Sequence, residues 1–294
     1  MPQACWDGVA QRRPAAADNE MVHAQAPTIE QPQLARRSVL GWGLAGLASS
    51  AGLIGCATPR MPALPALPVD GAVALPADAV APFSAGAPGS LPPGWQPYVM
   101  RRDRGTTHYT LVDDGRSPVL RAHASSSTSG LRCPVDIDPQ RQGVLRFSWR
   151  VPRAPKGATV ADPHLDYSPA RVILAFNGDT ARLSVRERLF FEQVELFTGH
   201  RLPYATLMYV WDSQVPPGTV IVNHRTSRIR YLTVESGDAR TGHWRRHQRD
   251  VVADYAKVFG EAPGRIGSVG VLTDSEALKI ELEAFYGDIT LTAA

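Results

Sequence analysis

Apolar and polar residues alternate along several short segments of the chain, and the clearest alternation runs from residue 144 to residue 151. Leu145, Phe147 and Trp149 fall on one side of an extended backbone, whereas Arg146 and Arg150 fall on the other. Successive side chains of a β-strand point to opposite faces of its sheet. The segment is therefore predicted to be a strand with one buried and one solvated face.

Similar short runs between turn residues predict further strands. They cover residues 117–124, 171–176, 204–211, 219–222, 228–235, 265–272 and 279–292. The run at 171–176 is apolar throughout, which is typical of a strand covered on both faces. Strands do not alternate regularly with helices, so the sequence favours antiparallel over parallel pairing.

Two segments predict short helices, residues 184–198 and 249–260. In the second, Val251, Tyr255 and Val258 recur at helical spacing. Asp250 suits the N-cap, and Gly260 suits the residue just past the C-terminus. The predicted fold is mainly β: an antiparallel, jelly-roll-type β-sandwich with one or two short helices.

An export signal is predicted near the N-terminus. Arg36 and Arg37 precede a weakly apolar run at 38–54, which is short for a spanning helix of about 20 residues. Adjacent arginines indicate twin-arginine export, although an ordinary signal can also carry two basic residues. The run ends in Leu-Ile-Gly-Cys, which resembles a bacterial lipobox and predicts lipidation of Cys56. A chance cysteine is the alternative.

These signals divide the chain into four predicted parts. Residues 1–35 form a disordered n-region, with Met21 as an alternative start. Residues 36–56 form the signal, residues 57–82 a spacer rich in Pro and Ala, and residues 83–294 the sandwich domain. The protein is expected on the periplasmic side of the membrane, where the lipid anchor would hold it. Ala57 favours the outer membrane, since Asp there would indicate inner-membrane retention.

The charge and the cysteine content of the chain limit the partners and the cross-links that can be expected. The chain has 31 basic and 28 acidic residues and a net charge of +3, which is too small and dispersed for nucleic-acid binding. No catalytic residue, cofactor or metal ligand is predicted, although the loop acids Asp136 and Asp138 leave a structural calcium open. After cleavage and lipidation Cys133 would stand alone, which predicts a packed thiol and no intramolecular disulfide.

The residues ranked first for ligand binding combine arginine, acid and aromatic groups, which recognise sugar rings, hydroxyls and carboxylates. They are Arg146, Asp166, Arg171, Tyr209, Trp211, Arg249 and Asp250. The competing interpretation is structural, because Tyr209 and Trp211 share strand parity and can both face the core. The leading hypothesis is a non-catalytic protein that binds a glycan or other cell-envelope ligand. An envelope polysaccharide hydrolase or lyase, and an assembly lipoprotein with a protein partner, are the alternatives.

A set of spaced motifs runs through residues 83–292. They are Trp149, Asp166 before Arg171, Tyr209-x-Trp211, Gly242-x-Trp244, Arg249-Asp250-Val251, Asp254-Tyr255, Phe259-Gly260, Asp274 and Tyr286-Gly-Asp-Ile289. On these features the segment resembles a family of exported bacterial proteins, domain-of-unknown-function family 3047. The resemblance implies a sandwich similar to carbohydrate-binding modules and brings no established activity. In place of the family's usual second acid and Thr after Asp274, this chain has Ser-Glu-Ala-Leu, which weakens an ion or ligand role there.

Overall fold

The computed structural model describes residues 78–99, 103–157, 159–165 and 167–294. The predicted n-region, the export signal with Arg36 and Arg37, the lipidation site Cys56 and almost all of the spacer lie outside these residues. Asp166 also lies outside them. The predictions about export, anchoring and domain boundaries therefore stay predictions.

The described residues form thirteen β-strands, two α-helices and short 3₁₀ turns at Phe83–Ala85 and Thr180–Arg182. In chain order the main elements are β1 (Gln96–Tyr98), β2 (His108–Asp113), β3 (Pro118–Ser125), β4 (Thr128–Ile137), β5 (Val144–Arg150), β6 (Arg171–Phe176), α1 (Val185–Thr198), β7 (Ala205–Asp212), β8 (Val220–Val222), β9 (Ile229–Ser236), β10 (Arg245–Asp250), α2 (Val251–Phe259), β11 (Ile266–Asp274), β12 (Glu281–Tyr286) and β13 (Thr290–Thr292).

The strands form two sheets. The seven-stranded sheet has the order β1-β4-β11-β6-β7-β9-β8, and the six-stranded sheet has the order β10-β5-β12-β3-β2, with β13 also paired to β5. The predicted mainly β sandwich of jelly-roll type is confirmed. One pairing differs from the antiparallel prediction, because β9 lies parallel to β7 between β7 and the edge strand β8.

The core lies between the two sheets. The face of β5 that the alternation assigned to the interior is buried, and it meets the inward face of β7. The ring centroids of Trp149 and Trp211 are 6.3 Å apart, and those of Phe147 and Tyr209 are 5.9 Å apart. Cys133 is buried in the same core and burial raises its pKa, in agreement with the predicted packed thiol.

Both predicted helices are present. The Asp250 side chain accepts a hydrogen bond from the backbone N–H of Ala253, and Gly260 adopts a left-handed conformation with a φ of 73°. These are the two caps that the sequence predicts. Neither helix of the described part is long and apolar enough to span a membrane.

Some elements differ from the prediction. Strands β1, β2, β4 and β10 were not predicted, and α2 begins at Val251 because Arg249 and Asp250 belong to β10. The predicted closing strand at 279–292 is divided into β12 and β13. Both strands pair with β5. Phe285–Tyr286 of β12 pair with one end of β5, and Thr290–Thr292 of β13 pair with the other end.

Candidate functional site

Two of the predicted ligand residues, Tyr209 and Trp211, lie in the core. Both side chains are completely buried on the inward face of β7. The Trp211 indole N–H donates to the carbonyl oxygen of Gly237 at 2.9 Å, and the Tyr209 hydroxyl donates to Asp254 at 3.0 Å. These contacts satisfy the polar ends of two core aromatic residues, so the structure gives both a packing role.

Arg171 is also buried, at 4 % exposure. Its guanidinium lies 3.9 Å from the Asp274 carboxylate and over the ring of Tyr231 at 5.7 Å. A buried arginine needs a paired carboxylate of this kind, because an uncompensated charge in the interior is strongly destabilising. Arg171 is therefore an internal partner of Asp274.

Arg249 is half-buried on the interior side of β10, where it forms two hydrogen bonds to Asp254, at 2.8 and 2.5 Å. These hydrogen bonds raise the pKa of Arg249. Burial, and after it the charge of Asp254, raises the pKa of Tyr209. Arg249 thus secures the start of α2 to the sheet, and its neighbour Asp250 caps the same helix.

Arg146 is exposed on the outer face of the six-stranded sheet. It donates hydrogen bonds to Gln248 at 3.0 Å and to Thr292 at 2.7 Å, both of them neutral. It lines a cleft of about 380 Å³ together with Ser148, Arg246, Gln248 and Asp288. The structure therefore separates Arg146 from Arg171, Tyr209, Trp211 and Arg249.

A second and larger cleft, of about 580 Å³, adjoins the first on the same face. Its lining includes Asp114, Arg116, Arg150, Trp244 and Arg246. Ser148 and Arg246 line both clefts, so the two lie side by side. We refer to the two adjoining clefts together as the outer-face groove.

Trp244 is held in the outer-face groove by Asp114. Its indole N–H donates to one carboxylate oxygen of Asp114 at 2.9 Å, and the Arg150 guanidinium lies 3.4 Å from the other. The same guanidinium lies over the rings of Phe285 and Trp244, at 4.2 and 5.7 Å from their centroids. This network joins the β2–β3 turn to β5 and to the residue before β10.

A glycine packs closely against Ser148, which lines both clefts. The backbone N–H of Gly287 donates to the carbonyl oxygen of Ser148 at 3.0 Å. A Cβ at position 287 would lie 2.4 Å from the Ser148 hydroxyl oxygen and 3.8 Å from the Trp244 ring. A side chain at this position would therefore displace the Ser148 hydroxyl.

His247 lies on the interior side of β10, beneath the outer-face groove. Its ring stacks on Phe147 with centroids 4.9 Å apart, and its Nε2 is 3.6 Å from the Glu235 carboxylate. Burial lowers the pKa of His247 to about 4; Glu235 raises this pKa, whereas Arg245 and Arg249 lower it. His247 is therefore a neutral packing residue near neutral pH.

The loop acids considered for calcium, and the acid Glu283, form contacts with other protein groups. Asp136 binds Arg265 at 2.5 Å, which lowers its pKa, and Asp138 accepts from the backbone N–H of Gln140 at 3.0 Å. Glu283 on β12 is paired with Arg121. Within the described residues, no group of three or more His, Cys, Asp and Glu side chains is arranged to hold a metal.

Four residues of the outer-face groove are not among those predicted to bind a ligand: Arg116, Arg150, Trp244 and Arg246. A partial signal was available, since Arg146, Ser148 and Arg150 fall on the solvated side of the predicted strand. Trp244 also belongs to the Gly-x-Trp feature of the family resemblance. The missing information was pairing, because the register of β10 on β5 brings Arg246 opposite Ser148.

Comparison with solved structures finds β-rich proteins at low identity. Endoglucanase 3 of Trichoderma harzianum, from family GH12, is 8 % identical over 68 % of this chain and 90 % of its own, with a TM-score of 0.37. A family 12 xyloglucanase from Bacillus licheniformis, in complex with ligand, is 7 % identical over 75 % of this chain and 98 % of its own, with a TM-score of 0.38.

The tandem CBM22-1–CBM22-2 domain of Paenibacillus barcinonensis Xyn10C is 14 % identical over 75 % of this chain, with a TM-score of 0.31, and the match spans 50 % of that structure. At these TM-scores the likeness assigns neither ligand nor activity.

No curated protein sequence matches this chain. A family model described as a protein of unknown function, DUF3047, matches residues 93–290. This match includes both sheets, α1, α2 and the residues that line the outer-face groove, and the chain belongs to the DUF3047 family.

Proposed function

We propose that this protein is a lipid-anchored periplasmic β-sandwich protein that binds a glycan in the outer-face groove without cleaving it. The observation that carries the proposal is the position of Trp244 beside Arg150 and Arg246 in an open groove. Aromatic faces pack against sugar rings, and fixed guanidinium and hydroxyl groups bind their polar substituents. The two clefts, of about 580 and 380 Å³, have the size of small-molecule sites.

The acids of the outer-face groove support binding rather than cleavage. Glycoside hydrolysis uses two carboxyl groups about 5–10 Å apart across the scissile bond. Among the described lining residues, each cleft has a single carboxylate, Asp114 in one and Asp288 in the other. Asp114 is bound to Trp244 and Arg150, and Asp288 accepts from the backbone N–H and the hydroxyl of Ser84. Because both carboxylates are already bound to protein groups, neither is free to act as the general acid or base of a hydrolase.

Glycan binding can be tested on an array of cell-envelope polysaccharides with the full-length protein in detergent micelles. We expect binding by the wild type and a loss of up to about tenfold for Trp244→Ala, since an aromatic contact contributes about 0.5–1.5 kcal/mol. Phe197→Ala, which removes an exposed aromatic side chain of α1, is the matched control and should bind normally. Absence of binding to every glycan would refute the proposal.

Support for the location comes from the sequence of residues 36–56. Labelled palmitate should enter the wild-type protein and not Cys56→Ala, because the thiol accepts the lipid. Equal labelling of the two would refute the anchor. Replacing Arg36 and Arg37 together by Lys should stop export, whereas normal arrival of this variant in the periplasm would indicate another route.

The alternative of an assembly role is favoured by a different surface. Helix α1 exposes Val185, Leu189, Leu196 and Phe197, with Phe197 84 % exposed. Exposed apolar patches often mark contacts with other proteins. If the alternative is correct, native electrophoresis of detergent-extracted membranes should show the wild type in a complex that Leu196→Ser with Phe197→Ser lacks. A wild type that migrates as the monomer would exclude it.

A further inference from the structure

The outer-face groove has an excess of positive charge. Its arginines are Arg116, Arg146, Arg150 and Arg246, whereas its acids are Asp114 and Asp288. Both acids already accept hydrogen bonds from protein groups, Asp114 from Trp244 and Asp288 from Ser84. The carboxylates of the groove therefore compensate part of the guanidinium charge and leave the rest for a ligand.

Arg246 is the central uncompensated cation. Within the described part of the chain, no hydrogen bond or ion pair engages its side chain, and the same is true of Arg116. Arg146 binds only the neutral side chains of Gln248 and Thr292. Arg150, by contrast, is paired with Asp114. Three guanidinium groups of the groove can thus bind an anion without breaking an existing ion pair.

The arrangement suits an extended ligand with repeated negative charges. Arg146 and Arg150 lie on the same face of β5 four residues apart, which corresponds to about 14 Å along a strand. Arg246 lies between them on β10, opposite Ser148, and lines both clefts. A chain that passes from one cleft to the other must therefore cross Arg246.

We propose that the outer-face groove binds an acidic oligosaccharide, with the Arg246 guanidinium as the main ligand of a uronate carboxylate and Trp244 as the face for a sugar ring. This inference rests on the proposed glycan binding and specifies its chemical class. A guanidinium presents two parallel N–H donors that match the two oxygens of a carboxylate. An aromatic ring beside it favours a carboxylate carried on a sugar over a small inorganic anion.

The test is calorimetric titration of the full-length protein, in detergent micelles at low salt, with oligomers of galacturonate, mannuronate and glucuronate. Each oligomer is paired with its carboxyl-reduced form, which has the same chain and linkage without the charge. We expect at least one uronate to bind about tenfold more tightly than its reduced form, because the reduced form cannot make the charge-assisted hydrogen bonds to the guanidinium. Added salt should weaken the uronate complex only.

Variants locate the site. Arg246→Ala should lose about tenfold in uronate affinity with little change for the reduced oligomer, and Arg246→Lys should recover part of the loss because it keeps the charge but not the two-pronged geometry. Arg186→Ala, at an exposed arginine of α1, is the matched control. A thermal melt of each variant checks folding, which Arg246 should not affect because its side chain has no partner among the described residues.

The outcomes separate the two proposals. Equal affinity for a uronate and its reduced form would overturn the acidic ligand and leave glycan binding intact. If no uronate binds but neutral glycans on the array do bind, the acidic ligand is also overturned and glycan binding stands. Absence of binding in both experiments would overturn both proposals. Uronate binding that Arg246→Ala leaves unchanged would overturn the assignment of the site.

Discussion

The buried His247 should make the stability of the protein depend on pH in a defined window. Burial lowers the pKa of its imidazole from the ordinary 6.5 to about 4. The ring stacks on Phe147 and meets Trp149 edge-on, so protonation would place a cation in an apolar contact. Arg245 and Arg249 oppose that charge, and Glu235 favours it.

The sign and size of the effect follow from the two pKa values. Because the pKa of His247 is lower in the folded than in the unfolded state, the unfolded chain binds more protons between pH 6.5 and about 4. The contribution of the neutral His247 ring to the free energy of unfolding is fully present above pH 6.5 and is lost as the pH falls toward 4. One pKa unit corresponds to about 1.4 kcal/mol, so this residue accounts for a loss of about 3 kcal/mol.

The measurement is urea unfolding followed by tryptophan fluorescence at several pH values between about 7.5 and 4.5. His247→Gln cannot be protonated, so its free energy of unfolding should fall less steeply with decreasing pH than that of the wild type. The comparison uses slopes, because the substitution also changes packing at every pH. His243→Gln is the control, since His243 is exposed and lies in the turn before β10.

Refutation would take one of two forms. If His247→Gln keeps the full wild-type slope between pH 6.5 and 4.5, the imidazole is not the titrating group and the argument from burial is wrong. If His243→Gln flattens the slope as much as His247→Gln does, the effect does not depend on the buried position.

Three further predictions concern stability and reactivity. Asp250→Ala should lower the free energy of unfolding by about 1 kcal/mol in a urea titration, because the N-cap bond to Ala253 is removed, and Asp250→Ser should restore most of it. Gly130→Ala should cost about 1–3 kcal/mol and lower the melting temperature, since its Cβ would lie 2.5 Å from the carbonyl oxygen of Val271. In a variant with Cys5 and Cys56 replaced by Ser, the buried Cys133 thiol, with its raised pKa, should react with a chromogenic disulfide reagent only after unfolding, and rapid reaction of this variant in its folded state would contradict the structure.

The elements that the sequence predicts correctly are those with a clear periodic pattern or clear capping residues within their own segment. Leu145, Phe147 and Trp149 alternate with polar residues, and all three are buried in β5. Helix α2 has an apolar stripe and the residues for both of its caps, Asp250 and Gly260. A strand face or a helix end depends on residues close together in the chain, so a local pattern is sufficient to predict it.

Strand β10 had no such signal, because Arg-Arg-His-Gln-Arg-Asp contains no aliphatic residue. Its interior-facing arginines are stable there because acids on neighbouring elements pair with them. Arg245 binds Glu235 at 2.8 Å, and Arg249 binds Asp254. Only the folded chain brings these acids to β10, which explains why a polar strand can close one edge of the sandwich.

The aromatic residues Tyr209 and Trp211 show the same limit for the candidate site. Strand parity correctly placed both on one face, but parity does not tell whether that face meets solvent or the other sheet. The pairing of the two sheets decided that they contact Phe147 and Trp149 in the core.

The sequence by itself determined the mainly β class, the buried side of β5, the two caps of α2 and membership of the family, because each depends on short-range periodicity or on motifs. Tertiary structure alone decided the outer-face groove. Its residues come from the β2–β3 turn, β5, the start of β10 and the break between β12 and β13. These segments are far apart in the chain, and they meet only because strand register brings Arg246 opposite Ser148 and Gly287 against it.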